Sequence, residues 1–148
     1  MAVVDDTPES SRAIYYAGTR AKNSSGGVVL LYVIPEGDFQ QWLGVEEIMR
    51  EEAREEAEAT LAKAAQTLRE QIGIDPEMVI REGSPTEQIH SLIEEDRDIA
   101  ILVLAAGSAK DGPGPLVSSV AGRGGAAFPI PVTVIPDFLT NEEIDALA

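Results

Sequence analysis

Apolar residues in this chain gather into short, almost unbroken runs separated by longer stretches of helical period. Val28–Ile34, Ile99–Ala106 and Val132–Ile135 are built almost wholly of Val, Ile, Leu and Ala, and Ala2–Val4 is a truncated run of the same kind. Continuous runs, as opposed to strict alternation, predict strands covered on both faces. Met78–Arg81 is a fifth, weaker strand.

The stretches between them predict helices. In Pro8–Lys22, Ala13, Ile14, Ala17 and Ala21 share one face, and Thr7 before Pro8 reads as a cap with proline at the first helical position. The longest helix is predicted from Val45 to Ile72. Its apolar stripe is Leu61, Ala64, Leu68 and Ile72, and "REEAREEAEAT" is its solvated face. Ser84-Pro85-Thr86-Glu87 has the form of a capping box and opens a helix to Arg97. A further helix is predicted to start near Ser118, weakened by "AGRGGAA", since each interior glycine costs ~1 kcal/mol. Thr140 to Glu143 forms a last capping box in the tail. The segment "PEGDFQQWLG" is a surface loop whose Phe39 and Trp42 are expected to pack down onto the sheet. Strands alternating with helices imply right-handed crossovers, a parallel sheet and one domain over residues 1–136, followed by a tail over 137–148.

Charge narrows the partners. A formal net charge of −15 repels polyanions, so neither nucleic acid nor an anionic membrane is an expected partner. The absence of cysteine excludes a disulfide framework and thiol chemistry, which fits a reducing cytosol. The apolar runs fall far short of the ~20 residues of a membrane span, and no signal peptide is visible. "MAVVDD" begins almost inside a strand, so part of the native start is expected upstream.

Four motifs in order resemble the universal stress protein family. "VVDDTPESSRA" is similar to the family's opening strand and helix start, "VVLLYVIPE" to its second strand, and "REGSPTEQI" to the entry to its third helix. "SSVAGRGGAAFPIPVTVIP" is similar to its last helix and strand, which typically read Gly-Ser-Val-Ala and then Pro-x-Pro-Val. The resemblance covers nearly the whole chain. It implies an α/β, Rossmann-like three-layer sandwich of the adenine-nucleotide alpha hydrolase type, with a five-stranded parallel sheet in order 3-2-1-4-5. It also implies a cytoplasmic homodimer in stress regulation.

One branch of the family binds ATP through Gly, two residues, Gly, nine residues, then Gly-Ser or Gly-Thr. Such glycines let backbone approach phosphate, and a helix N-terminus holds the anion. Gly107 in "GSAKDGPGPLVSS" matches the first glycine. Lys110 stands at the second; it either brings a cation to the phosphate or obstructs the approach that glycine permits. Ser118, Ser119 and Val120 match the closing motif at a spacing two residues short. Asp5 matches the strand-end aspartate that meets adenosine, and Val33 the residue whose backbone meets adenine. The alternatives are helix capping, by Asp5 with Asp6 and Thr7 at one end and by Ser118 and Ser119 at the other.

Catalytic signals are sparse. The one histidine, His90, lies between Ile89 and Leu92 and reads as a packed residue; with no cysteine, the usual zinc sets are excluded. Gly-x-Ser-x-Gly is absent. Two functions follow. The first is a regulator binding ATP, ADP or AMP, with Mg²⁺ on the phosphates and at most slow hydrolysis, at the switch point between strands 1 and 4. The second is a nucleotide-free dimeric module acting through protein partners. An electron-transfer flavoprotein-like domain shares only the architecture. In either reading Val132–Ile135, an apolar strand between prolines at the sheet edge, is the expected dimer contact.

Overall fold

The computed structural model describes residues 1–36, 46–122 and 128–148. The loop holding Phe39 and Trp42, the predicted helix start at Val45 and the glycine-rich run 123–127 lie outside them. Five strands, β1 (Ala2–Val3), β2 (Val29–Ile34), β3 (Glu77–Glu82), β4 (Leu102–Ala106) and β5 (Val132–Pro136), form one parallel sheet in the order β3-β2-β1-β4-β5. β1 is the hub: Ala2 stands in register with Leu30 on one side and Val103 on the other. β3 pairs with β2 over six residues, Val29↔Glu77 to Ile34↔Glu82. It is an edge strand with exposed positions such as Met78, which explains its weak apolar signature.

Both faces of the sheet are covered. On one lie α1 (Ser10–Ser24), α2 (Glu46–Thr67) and α5 (Asn141–Leu147), which contribute Ala13, Leu61 and Ile144 to a core that also holds Leu30 and Ile135. On the other, α3 (Pro85–Glu95) and α4 (Pro115–Gly122) close over Leu31, Leu102 and Leu104. This two-sided burial is why the strands read as continuous apolar runs.

Several element ends differ from expectation. α1 starts at Ser10, flanked by Glu9, and not at Pro8 behind a Thr7 cap. Thr7 turns back instead: its N–H (2.9 Å) and its hydroxyl both donate to Asp5 Oδ1. Pro8 then sits in a tight turn, with Ser10 N–H bonded to the Thr7 carbonyl. Ser84 precedes α3 without a side-chain cap bond, so the predicted box with Glu87 does not form, and α3 ends at Glu95, short of Arg97. The box at Thr140 does form, with Glu143 N–H donating to Thr140 Oγ1 (3.2 Å) and Thr140 N–H to Glu143 Oε2 (2.9 Å).

The long helix also changes pitch. After Thr67 it continues as a π-turn, Leu68–Ile72. The wider turn keeps Leu68 and Ile72 on the buried side, and both press on α1 at Gly18. A Cβ there would stand 2.5 Å from Leu68 Cδ2 and 2.7 Å from Ile72 Cδ1. Glycine at that point is what lets the two helices approach so closely.

Candidate functional site

In an open parallel sheet the ligand crevice lies beyond the carboxyl ends of the strands, where the chain order reverses. Here that point is between β1 and β4. A cavity of about 90 Å³ opens there, lined by Asp5, Thr7, Glu9 and Ser10 from the β1–α1 turn, by Leu104 and Ala105 of β4, and by Pro113–Val117 at the entry to α4. A larger hollow of about 570 Å³ lies at the amino ends of the strands, beside Met1, Gly26 and Ile99. Its position is opposite to the crevice, so the smaller cavity is the candidate site.

The β1–α1 wall is held by its own polar groups. Asp5 receives Thr7 through Oδ1, and its own N–H donates to Ser10 Oγ (3.3 Å). The adjacent Asp6 accepts from Tyr32 OH (3.3 Å) and Thr60 Oγ1 (3.2 Å), tying the turn to β2 and α2. This corner is acidic. Burial, then the charges of Asp6 and Glu56, push the Tyr32 hydroxyl up to about 12. Asp6 in turn raises the carboxyl of Glu56, first through its charge and then through a shared hydrogen bond.

The β4–α4 wall is shaped by glycine and proline. Gly112 (φ 85°) and Gly114 (φ 103°) occupy the left-handed region that other residues avoid. Gly114 turns the chain into Pro115, whose ring is pre-set for the first helical position. α4 therefore begins three residues before Ser118, and Ser118 N–H already donates to the Gly114 carbonyl (3.0 Å). Ser118, Ser119 and Val120 lie inside the helix; the expectation that they open it is corrected. The first-turn N–H groups, which have no partner inside the helix, belong to Leu116 and Val117, and both residues line the cavity.

Among the residues singled out from sequence, Asp5 lines the cavity. Gly107 does not line it but lies beside the lining residue Glu9, whose carboxylate fills the space a side chain would take: a Cβ on Gly107 would lie 2.8 Å from Glu9 Oε1. Lys110 is exposed in the loop beyond. Val33 sits on β2 in register with Arg81, half-buried against the core of the α3–α4 face. Sequence reasoning missed two residues: Glu9, which lines the cavity, and Asp137, which bonds the loop after β4. Asp137 Oδ2 accepts Ser108 N–H (2.8 Å) and Ser108 Oγ (2.7 Å). Neither had a local signal, since Glu9 meets Gly107 and Asp137 meets Ser108 only through the fold. His90 packs on Phe128, ring centroids 5.2 Å apart. Among the described residues no group of three or more His, Cys, Asp and Glu could hold a metal ion. No described helix is long and apolar enough to cross a membrane.

The model of the universal stress protein family matches residues 1–136. No curated protein sequence matches the chain. Among solved structures, the universal stress protein UspA from Lactobacillus plantarum is 18% identical, with TM-score 0.73, covering 91% of this chain and 97% of its own. The universal stress protein from Archaeoglobus fulgidus in complex with dAMP is 20% identical, with TM-score 0.63, covering 90% and 94%. A universal stress protein family protein from Arabidopsis thaliana with AMP bound is 18% identical, with TM-score 0.60, covering 91% and 90%.

Proposed function

This chain belongs to the universal stress protein family, and from that premise we propose that it is a cytoplasmic stress regulator that binds an adenine nucleotide, ATP or a lower phosphate, between β1 and β4. The observation that carries the reading is the cavity at the switch point, where Asp5 faces the first turn of α4 across the β4 end. An adenosine hydroxyl would meet the Asp5 carboxylate, and an anion the Leu116 and Val117 N–H groups at the positive end of the helix. The similar folds crystallised with AMP and dAMP support an adenosine ligand. Lys110 is the loop's own cation, and Val33, Ser118, Ser119 and Val120 do not line the cavity.

A second reading has its own observation. The cavity, about 90 Å³, is well below the ~300–1,000 Å³ of ordinary ligand sites. A chain whose cleft stays closed would act as a nucleotide-free module that pairs with a second copy through β5 and signals by protein contact.

The test is thermal unfolding with adenosine, AMP, ADP and ATP at millimolar concentration, beside mass spectrometry of the denatured protein for co-purified nucleotide. Ligand at 100 times its dissociation constant stabilises by ~2.7 kcal/mol, a readily measured shift. If no adenine compound moves the melting curve and none co-purifies, the second reading replaces the first.

A further inference from the structure

We propose, on the adenine-nucleotide reading above, that the cleft selects by phosphate number: it accepts adenosine with at most one phosphate, and Glu9 is the residue that turns away the di- and triphosphate. The reason lies at the first two residues of the β4–α4 loop. A glycine at the start of such a loop normally leaves room for phosphate. At Gly107 that room holds the Glu9 carboxylate, with Oε1 2.8 Å from the point where a Cβ would be. At Ser108 the donors are spent: both N–H and hydroxyl bond Asp137 Oδ2, at 2.8 and 2.7 Å. The Glu9 carboxylate, which lines the cavity, thus stands where a polyphosphate would extend, and Asp137 adds a second negative charge at the adjoining loop residue; like charges repel.

The cations nearby do not offset them. Arg12, one turn into α1 from Glu9, is turned to the tail: its Nη1 donates to the Leu139 carbonyl (3.1 Å) and to Asn141 Oδ1 (2.8 Å). Lys110 is exposed and does not line the cavity. What remains for an anion is the start of α4. Pro115 has no N–H, so the first turn offers only Leu116 and Val117 at the cavity wall. That is a place for one phosphate, bounded by Glu9 on the side where a second would go.

Calorimetric titration of the full chain with adenosine, AMP, ADP and ATP, each with and without Mg²⁺, decides it. The expected result is AMP at least ~10-fold tighter than ATP, a gap worth ~1.4 kcal/mol. Glu9→Gln should narrow the gap to within roughly threefold by tightening ATP; Asp137→Asn should narrow it in the same direction, and melting curves confirm that both variants are folded. ATP binding as tightly as AMP to the parent overturns the selection while leaving the nucleotide reading intact. A gap that survives both substitutions overturns the role of the carboxylates. Failure of every adenine compound to bind removes the nucleotide reading, and this inference with it.

Discussion

Asp137, the first residue past β5, grips Ser108, the second residue past β4, through one carboxylate oxygen that accepts both the Ser108 N–H and its hydroxyl. Because β4 and β5 are neighbours in register, Ala106↔Pro136, the two strand exits meet side by side. The bond fastens the candidate nucleotide loop to the start of the tail.

The bond titrates. Hydrogen bonds from the Ser108 hydroxyl, then from its N–H, hold the Asp137 carboxyl below its ordinary 3.8. A carboxyl depressed in the folded state stabilises above its unfolded value, and that contribution is lost as pH falls through the folded one. Urea unfolding of the parent should therefore exceed that of Asp137→Asn by a constant margin at neutral pH, and the margin should shrink below about pH 4. A margin unchanged from neutral pH to pH 3 would show that Asp137 is not depressed.

The tail is part of the core. Ile144 of α5 is fully buried with Ala13 and Leu61, and Asn141 and Asp145 bond Arg12 and Tyr15 of α1. Ile144→Ala should cost ~2–5 kcal/mol in chemical denaturation, the range for a large-to-small change in a packed core. An unchanged unfolding midpoint would mean that α5 is an appendage.

Asp5 carries two duties that one substitution separates. Asp5→Asn keeps the Oδ1 acceptor for Thr7, so the turn and the melting temperature should hold. It removes the charge, and a charged hydrogen bond exceeds a neutral one by about 1 kcal/mol, so affinity for AMP should fall roughly fivefold. Titration beside thermal unfolding checks both. Equal affinity with lowered stability would assign Asp5 to the turn alone.

The outer edge of β5 is proposed as a homodimer contact. Among the described residues β5 pairs only with β4, and α5 packs on α1 instead of adding to the strand. Val134, at the strand's centre, is 37% exposed. An uncovered apolar edge is a hazard that an antiparallel copy across a two-fold axis removes. Val134→Pro deletes a ladder donor, so it should convert a dimer to a largely folded monomer. Light scattering after gel filtration decides: a monomeric parent at micromolar concentration ends the idea.

The strands, their parallel direction and the box at Thr140 were legible because their signals are local or repeat along the chain, while their order came from the family resemblance. A strand covered on both faces, such as Val29–Ile34 or Leu102–Ala106, favours apolar side chains at nearly every position, and a Thr sees a Glu three residues on; the run from Ile99 begins ahead of its strand, which starts at Leu102. Where local signals compete, neighbours decided. Asp5 drew Thr7 away from the cap and moved the start of α1 to Ser10; Gly114 and Pro115 opened α4 before Ser118. The interior of the site lay beyond local reading altogether. Glu9 over Gly107 and Asp137 on Ser108 join residues far apart in the chain, and each contact exists because the sheet sets β1 beside β4 and β4 beside β5. A carboxylate's charge is written in the sequence, but the group it faces depends on strand order and register.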